Sequence, residues 1–357
     1  MFVFFHHIDP RCQQLTFDSI KTYKTEDTPS WFVADDFDGD NITDLAIANH
    51  NYLQIEFFLK YINGTYQVNF IYYVDIFLDL IITNDINNDN KIDIIFTSGI
   101  DSCIGILLGY GNGSFYEPII FLVGSSAFHI NIADFNYDNY QDLIVINSDS
   151  AVINIFLGYG NGYFKQRNII LTYDYPYDIA VADFNKDNFL DFAITQYINK
   201  SISFYFGYGN GSFEKKFSYL TLFKPWNIDI GDFNNDTYID IVISNLDNQT
   251  ISILINNGNN EYFQSEQIYL TDGKPNSIAV ADFNGDNYLD IVVANQNTNY
   301  LNIFLGYGNG SFKELIRFIN DKQLTSVSIG DFNNDDRIDL ATISNNNLNI
   351  SILLNTC

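Results

Sequence analysis

Asp36-Phe37-Asp38-Gly39-Asp40-Asn41-Ile42-Thr43-Asp44 is the stretch that decides the fold, because the chain repeats its pattern six more times. The copies run from Asp85 to Asp93, Asp134 to Asp142, Asp183 to Asp191, Asp232 to Asp240, Asp282 to Asp290 and Asp331 to Asp339. Successive copies start 49, 49, 49, 49, 50 and 49 residues apart, and a fixed period of this length marks a repeat architecture. Around each copy the sequence reads as short β-strands. In the sixth unit Ser277 to Ala281 leads into the acidic stretch and Asp290 to Ala294 follows it. Leu301 to Leu305 comes next, then the turn Gly306-Tyr-Gly-Asn-Gly310 and a last strand from Ser311 to Phe318. Runs of Ile, Val, Phe and Tyr punctuated by Asn and Gly are hairpin chemistry, and no segment of helical length and period competes. The same turn recurs at Gly109 to Gly113, Gly158 to Gly162 and Gly207 to Gly211. The fifth unit has Asn256-Asn-Gly-Asn-Asn260 instead, with its one extra residue between Leu254 and Phe263.

Four strands in about 49 residues is the size of one propeller blade. The fold expected is all-β: a seven-bladed propeller of four-stranded antiparallel blades. Its ends support a closed ring. A lone fourth-strand equivalent, Leu15 to Tyr23, precedes the first acidic loop, and the chain stops after a third-strand equivalent, Asn349 to Leu354. Pairing the two makes the last blade from three C-terminal strands and one N-terminal strand, and leaves no open end to the array. Residues 1–13 then form an N-terminal extension and 14–357 a single propeller. Cys12 lies 24 residues before the first loop and Cys357 lies 26 after the start of the last, which are neighbouring turn positions of one unit. Two sulfurs so placed are expected to form a disulfide at the closure point. Cys103, between second and third strands, is expected to be a free thiol.

Within each loop, oxygen-bearing side chains fall at positions one, three, five and nine, with a backbone carbonyl available at seven. Loop one supplies Asp36, Asp38, Asp40, Ile42 (carbonyl) and Asp44, and loop two Asp85, Asn87, Asp89, Lys91 and Asp93. Loop three supplies Asp134, Asn136, Asp138, Tyr140 and Asp142, and loop four Asp183, Asn185, Asp187, Phe189 and Asp191. Loop five has Asp232, Asn234, Asp236, Tyr238 and Asp240; loop six Asp282, Asn284, Asp286, Tyr288 and Asp290; loop seven Asp331, Asn333, Asp335, Arg337 and Asp339. Calcium takes six to eight such oxygens at about 2.3–2.6 Å, so up to seven Ca²⁺ are expected, one per blade. Position-seven side chains are unsuited to liganding and are read as free to vary. Asn at position six in five loops suits the left-handed backbone of a sharp turn. An EF-hand is excluded, because its loop needs Glu at position twelve between helices. Position twelve here is Ile47, Phe96, Val145, Ile194, Ile243, Val293 or Thr342, inside β-like runs. With three carboxylates per loop, four in loop one, the affinity expected is that of extracellular modules, roughly 10⁻⁴ to 10⁻³ M. Magnesium, with its small octahedral shell, fits less well.

The pattern resembles the FG-GAP/VCBS repeat proteins, whose relatives include the N-terminal propellers of integrin α subunits. The resemblance covers about Gln14 to Cys357. It rests on the acidic loops, the Leu-Gly-Tyr-Gly-Asn-Gly-Ser-Phe turns and the split last blade. It implies a seven-bladed propeller with calcium between the first two strands of each blade. The Gly-Ala-Pro half of the namesake motif is missing and all seven blades carry the loop, where integrins use only some. The chain therefore looks closer to the VCBS-type families, which include lectins and domains attached to secreted enzymes.

Composition bounds the function. The chain is 46% hydrophobic, enough to build a core and to exclude a disordered polymer. Its formal net charge of −27 argues against nucleic acid and anionic membranes as partners, and the acid recurs at fixed spacing, which points to cations. Seven calcium ions would bring the charge to about −13. No apolar run has the length of a membrane span. An extracellular setting is expected from the loops and from nine Asn-x-Ser/Thr sequons, although Met1 to Pro10 lacks the features of a signal peptide, and a cytosolic setting is the alternative. The four His residues form no catalytic spacing and no nucleophile or phosphate-cradling motif occurs, so the chain is expected to be no enzyme. The blade-to-blade connections, on the face opposite the loops, carry Trp31, Phe128, Tyr177 and Trp226, the last three at equivalent positions. Aromatic anchors there suit a protein or glycan ligand. The function expected is a monomeric recognition or adhesion scaffold, with a lectin-like propeller or an accessory module of a larger enzyme or receptor as alternatives.

Overall fold

The second strand of every repeat, such as Asp44–Asn49 or Asp240–Asn245, is buried over its first six residues. A strand buried on both faces must be sandwiched between neighbours, and a near-continuous apolar run meets that need better than alternation does. The computed structural model describes residues 15–357 apart from 19, 27, 61–64, 173, 259–262, 314, 320–323 and 345–347. In it the chain forms seven four-stranded antiparallel sheets, each one blade. Blade 1 runs from the inside outward as Pro29–Asp35, Asp44–Asn49, Gln54–Lys60 and Tyr66–Tyr73. Blades 2 to 6 repeat this order.

The last blade is shared between the chain's two ends. Leu324–Gly330, Asp339–Ser344 and Asn349–Leu353 are completed by Lys21–Lys24, with Lys21 opposite Ile352 and Lys24 opposite Asn349. Beyond the strand, Asp18 N–H donates to the Leu354 carbonyl at 2.8 Å and Thr356 N–H to that of Thr16 at 3.0 Å. Seven apolar clusters, one per blade interface, form the core, and the cluster that closes the ring joins Phe32, Leu45 and Ile47 to Phe332, Ile343 and Ile352. Each such side chain contributes roughly 1.5–3 kcal/mol on burial, so the closing seam resembles the other six. The lone strand is shorter than Leu15 to Tyr23, and the sixth outer strand is Ile316–Ile319 rather than Ser311 to Phe318, because Phe312 makes only an isolated bridge to Gly306.

Cys103 is a buried free thiol, as expected, and burial pushes it up to about 11. Cys12 and the extension 1–13 lie outside the described residues. Among the described residues no helix is long and apolar enough to cross a membrane.

Candidate metal loops and the opposite aromatic face

All seven acidic loops join first to second strands, so they gather on one face of the ring. Each is held by its own side chains. The position-one carboxylate accepts position-five N–H at 3.0–3.1 Å and position-six N–H at 2.7–2.8 Å. The position-five carboxylate accepts position-seven N–H at 2.8–3.0 Å. Position six has positive φ in every loop, through Asn41, Asn90, Asn139, Asn188, Thr237, Asn287 and Asp336. Position four does too, which the sequence reading missed, and its occupants include Tyr137 and Lys186, residues for which that region is strained.

Position three separates the loops. In loops two to seven its Asn donates from Nδ2 to the position-five carboxylate at 2.8–3.3 Å. Loop one has Asp38 there, with oxygens of Asp36, Asp38 and Asp40 all within 4.8 Å of one another. Burial, then the charge of Asp40, pushes Asp38 up, and Asp36 adds to the effect. Three converging carboxylates are a donor set for a hard divalent cation. In loop seven the buried Asn333 Oδ1 has no hydrogen-bond partner. Both observations fit a cation held by positions one, three and five.

Position nine stands apart from that cluster. Its carboxylate is fully buried in all seven loops (Asp44, Asp93, Asp142, Asp191, Asp240, Asp290, Asp339). One oxygen accepts position-two N–H at 2.8–3.2 Å, the other an N–H at the end of the third strand at 2.6–2.9 Å. Burial outweighs these bonds and pushes the group up to about 7 in Asp240 and about 6 in Asp93. Position-seven side chains vary from loop to loop, as expected, yet some have a packing partner. Tyr140 and Tyr288 pack on Gly160 and Gly308 of their own blade's turn, where an added Cβ would lie 2.1 Å from the ring.

The loops are also tied to the next blade. Position two (Phe37, Ile86, Phe135, Phe184, Phe233, Phe283, Phe332) inserts its side chain into the following interface. Its carbonyl accepts from that blade in six cases: from Gly113, Gly211 and Gly310 N–H, from Asn256 and Asn355 Nδ2, and from Lys60 Nζ. Position four reaches position six of the next loop: Asn88 Nδ2 to Asn139 O at 2.8 Å, Tyr137 Oη to Asn188 O at 2.6 Å, Asn334 Nδ2 to Asn41 O at 2.9 Å, and Lys186 Nζ to Thr237 Oγ1.

On the opposite face, where inner strands begin, Phe128, Tyr177 and Trp226 stand in a row over blades 3 to 5. Their ring centroids are 6.1 Å and then 3.6 Å apart. Trp31 of blade 1 packs against the interfaces on both sides of blade 2 and meets His129 edge-on at 6.4 Å. The four aromatic residues expected to form a ligand face thus belong to one cluster, joined through His129, 5.4 Å from Tyr177. Beneath them His129 Nδ1 lies 2.9 Å from Asp178 Oδ1, and Asn227 Nδ2 and Ile228 N–H donate to Asp178 Oδ2. Asn227 Oδ1 in turn accepts Ile278 N–H at 3.0 Å. Sequence reasoning missed this polar chain. Its only signal was a His, Asp or Asn directly after each aromatic of the row.

Solved structures share this architecture. BBS1N in complex with ARL6DN superposes with a TM-score of 0.68 at 13% identity, over 95% of this chain and 96% of that one. Virginiamycin B lyase from Staphylococcus aureus gives 0.65 at 12% identity, covering 94% and 99%. An Agrocybe aegerita lectin that recognises non-reducing terminal N-acetylglucosamine gives 0.59 at 16% identity, covering 82% and 81%. At these identities the likeness shows the fold alone. No curated protein sequence matches. The FG-GAP-like repeat profile matches residues 85–145, 134–194, 232–293 and 282–342, well over half of the chain and including loops two to seven. Together with seven blades that each carry the loop between first and second strands, these matches establish that the chain belongs to the FG-GAP-like repeat family.

Proposed function

We propose that this chain is a calcium-stabilised extracellular propeller that recognises a protein or glycan ligand and catalyses no reaction. The observation that carries the recognition reading is the continuous cluster Trp31–His129–Tyr177–Trp226, with Phe128 beside it, on the face opposite the loops. Clustered aromatics supply large contact area with little conformational freedom to lose, which is what binding anchors require. Calcium, when bound, neutralises converging carboxylates and fixes the loops. The loop residues then act on the scaffold, because position two links each loop to the neighbouring blade. A disulfide between Cys12 and Cys357 is proposed as a further clamp on the shared blade, and non-reducing mass spectrometry that finds two free thiols would remove it.

Two relatives in fold illustrate the range: BBS1N is seen with a protein partner and the Agrocybe aegerita protein recognises a sugar. Capture from extracellular extract and a glycan array, each run in calcium with wild type and Trp226→Ala, test the reading. Ligand retained by wild type and lost by the variant supports it. A ligand held equally by both contradicts the aromatic face as the site. Saturable binding of a neutral sugar sensitive to Trp226 selects the lectin-like alternative.

A further inference from the structure

Positive charge is unevenly distributed on this molecule. Four of its 17 Lys and Arg residues, Lys165, Arg167, Lys215 and Lys216, stand on the outer strands of adjacent blades, Phe164–Leu171 and Phe213–Leu220. All four are exposed, and among the described residues none has a recorded ion pair or side-chain hydrogen bond. In a chain with 44 acidic residues, four neighbouring unpaired cations need an explanation. Guarding an edge strand with charge is a general device, but it would apply to every blade. Blade 7 has Lys21 and Lys24 on its outer strand, blade 6 holds Lys313 at the position of Lys165, and blade 4 holds Lys216 at that of Arg167. Blade 3 alone carries a cation at both of these positions, where blade 1 has Gln67 and Asn69 and blade 5 has Gln264 and Glu266.

Lys165, Gln166 and Arg167 line a cleft of about 530 Å³ that also takes in Asn136 and Asp138 of loop three and Asn210 of the next blade's turn. Its size falls in the middle of the range for small-ligand sites, about 300–1,000 Å³. Its lining residues are polar or charged apart from Leu157 and Gly209, and the stems of the long side chains add apolar surface. Asp138 does not present a bare carboxylate: Tyr140 N–H at 2.9 Å and Asn136 Nδ2 at 3.0 Å occupy its two oxygens. Amide side chains suit the hydroxyls of a sugar. A guanidinium beside an ammonium suits a carboxylate or sulfate, the guanidinium gripping it through two parallel bonds. Against a net charge of −27, two adjacent cations in a cleft give an anionic ligand a locally favourable place to dock.

We propose that the cleft between blades 3 and 4 binds an acidic saccharide, with Lys165 and Arg167 holding its carboxylate or sulfate and Gln166 and Asn210 its hydroxyls. The site is on the loop side of the rim, away from the aromatic row, and does not depend on that row binding anything. Isothermal titration of the full chain in calcium tests it, with a sulfated uronate-containing disaccharide, its neutral carboxyl-reduced and desulfated counterpart, and a poly-glutamate peptide as probes. The acidic disaccharide should bind saturably and at least tenfold tighter than the neutral one. Lys165→Ala with Arg167→Ala should weaken it at least tenfold, while Lys24→Ala, an exposed lysine on another outer strand, should not. Unchanged melting of the variants in calcium checks that they are folded. Equal binding of the neutral sugar, equal or tighter binding of the peptide, an inert double variant, or an equal loss in Lys24→Ala would each overturn the proposal.

Discussion

Loops one and four share a frame, and of the four positions at which they differ, position three changes the charge inside the loop. In loop four Asn185 donates to Asp187 at 3.0 Å and accepts Asp187 N–H at 2.8 Å, so the loop closes on itself. In loop one Asp38 accepts Asp40 N–H at 3.2 Å but has no N–H to return, and its charge faces those of Asp36 and Asp40. An amide at position three replaces a repulsion with a hydrogen bond. Loops two to six are thus close to self-sufficient, loop seven leaves Asn333 Oδ1 without a partner, and loop one leaves a like-charge cluster for a cation to neutralise. That loop also stands at the ring's closing seam. There Thr43 Oγ1 donates to Asp331 O at 2.9 Å, Asn334 reaches Asn41, and Lys60 reaches the Phe332 carbonyl. The loop with the converging carboxylates therefore lies beside the blade in which the chain's ends meet.

The largest effect should ignore this difference. Asp240→Ala strands two buried N–H groups, those of Phe233 and Asn256, and should cost about 2–6 kcal/mol with or without calcium. Asp44→Ala should cost a similar amount by chemical denaturation. A penalty confined to loop one would break the common frame. The next effect depends on pH. In chelator, each position-nine carboxylate is pushed up to about 6 or 7 by burial. The folded chain then holds protons that the unfolded chain releases near pH 4, so stability falls as pH rises from about 4 to about 7. Metal-free melts should be higher at pH 5 than at pH 7.5, and the reverse order would refute the burial argument.

Exchanging position three sharpens the contrast directly. Asp38→Asn should raise the melting temperature in chelator by an amount corresponding to about 1 kcal/mol, and Asn185→Asp should lower it by as much. Both changes should reverse sign or vanish in calcium. Equal effects of the two exchanges in calcium and chelator would show that position three senses no ion. The smallest effect concerns the ties between loops: Asn88→Ala, which removes a 2.8 Å bond to Asn139, should cost about 0.5–1.5 kcal/mol. Its calcium titration should also be less steep than that of wild type.

Contacts within a repeat were legible in the sequence, and contacts between repeats were not. The 49-residue period fixed seven blades, their inner three strands and the shared last blade, and it grouped positions one, three and five. Position nine carried the right residue but its buried double acceptance of N–H groups depends on the third strand's path, 16 residues on. Position two looked like one more apolar residue, yet its carbonyl and ring face the next blade. Tyr137 and Lys186 gave no sign of a left-handed backbone or of the partner each reaches in the following loop, 51 residues away. The aromatic row was visible as spacing, but Trp31 meeting His129 past an intervening blade was not.

The central claim is that the loops hold calcium and that calcium holds the ring. Thermal melts of the full chain in calcium and in chelator, with bound ions counted by equilibrium dialysis, test it most directly. Ligand at a hundredfold over its Kd stabilises by about 2.7 kcal/mol per site, so several occupied loops should separate the two melts by many degrees, with up to seven ions bound. Superimposed melts and no bound calcium would contradict the account.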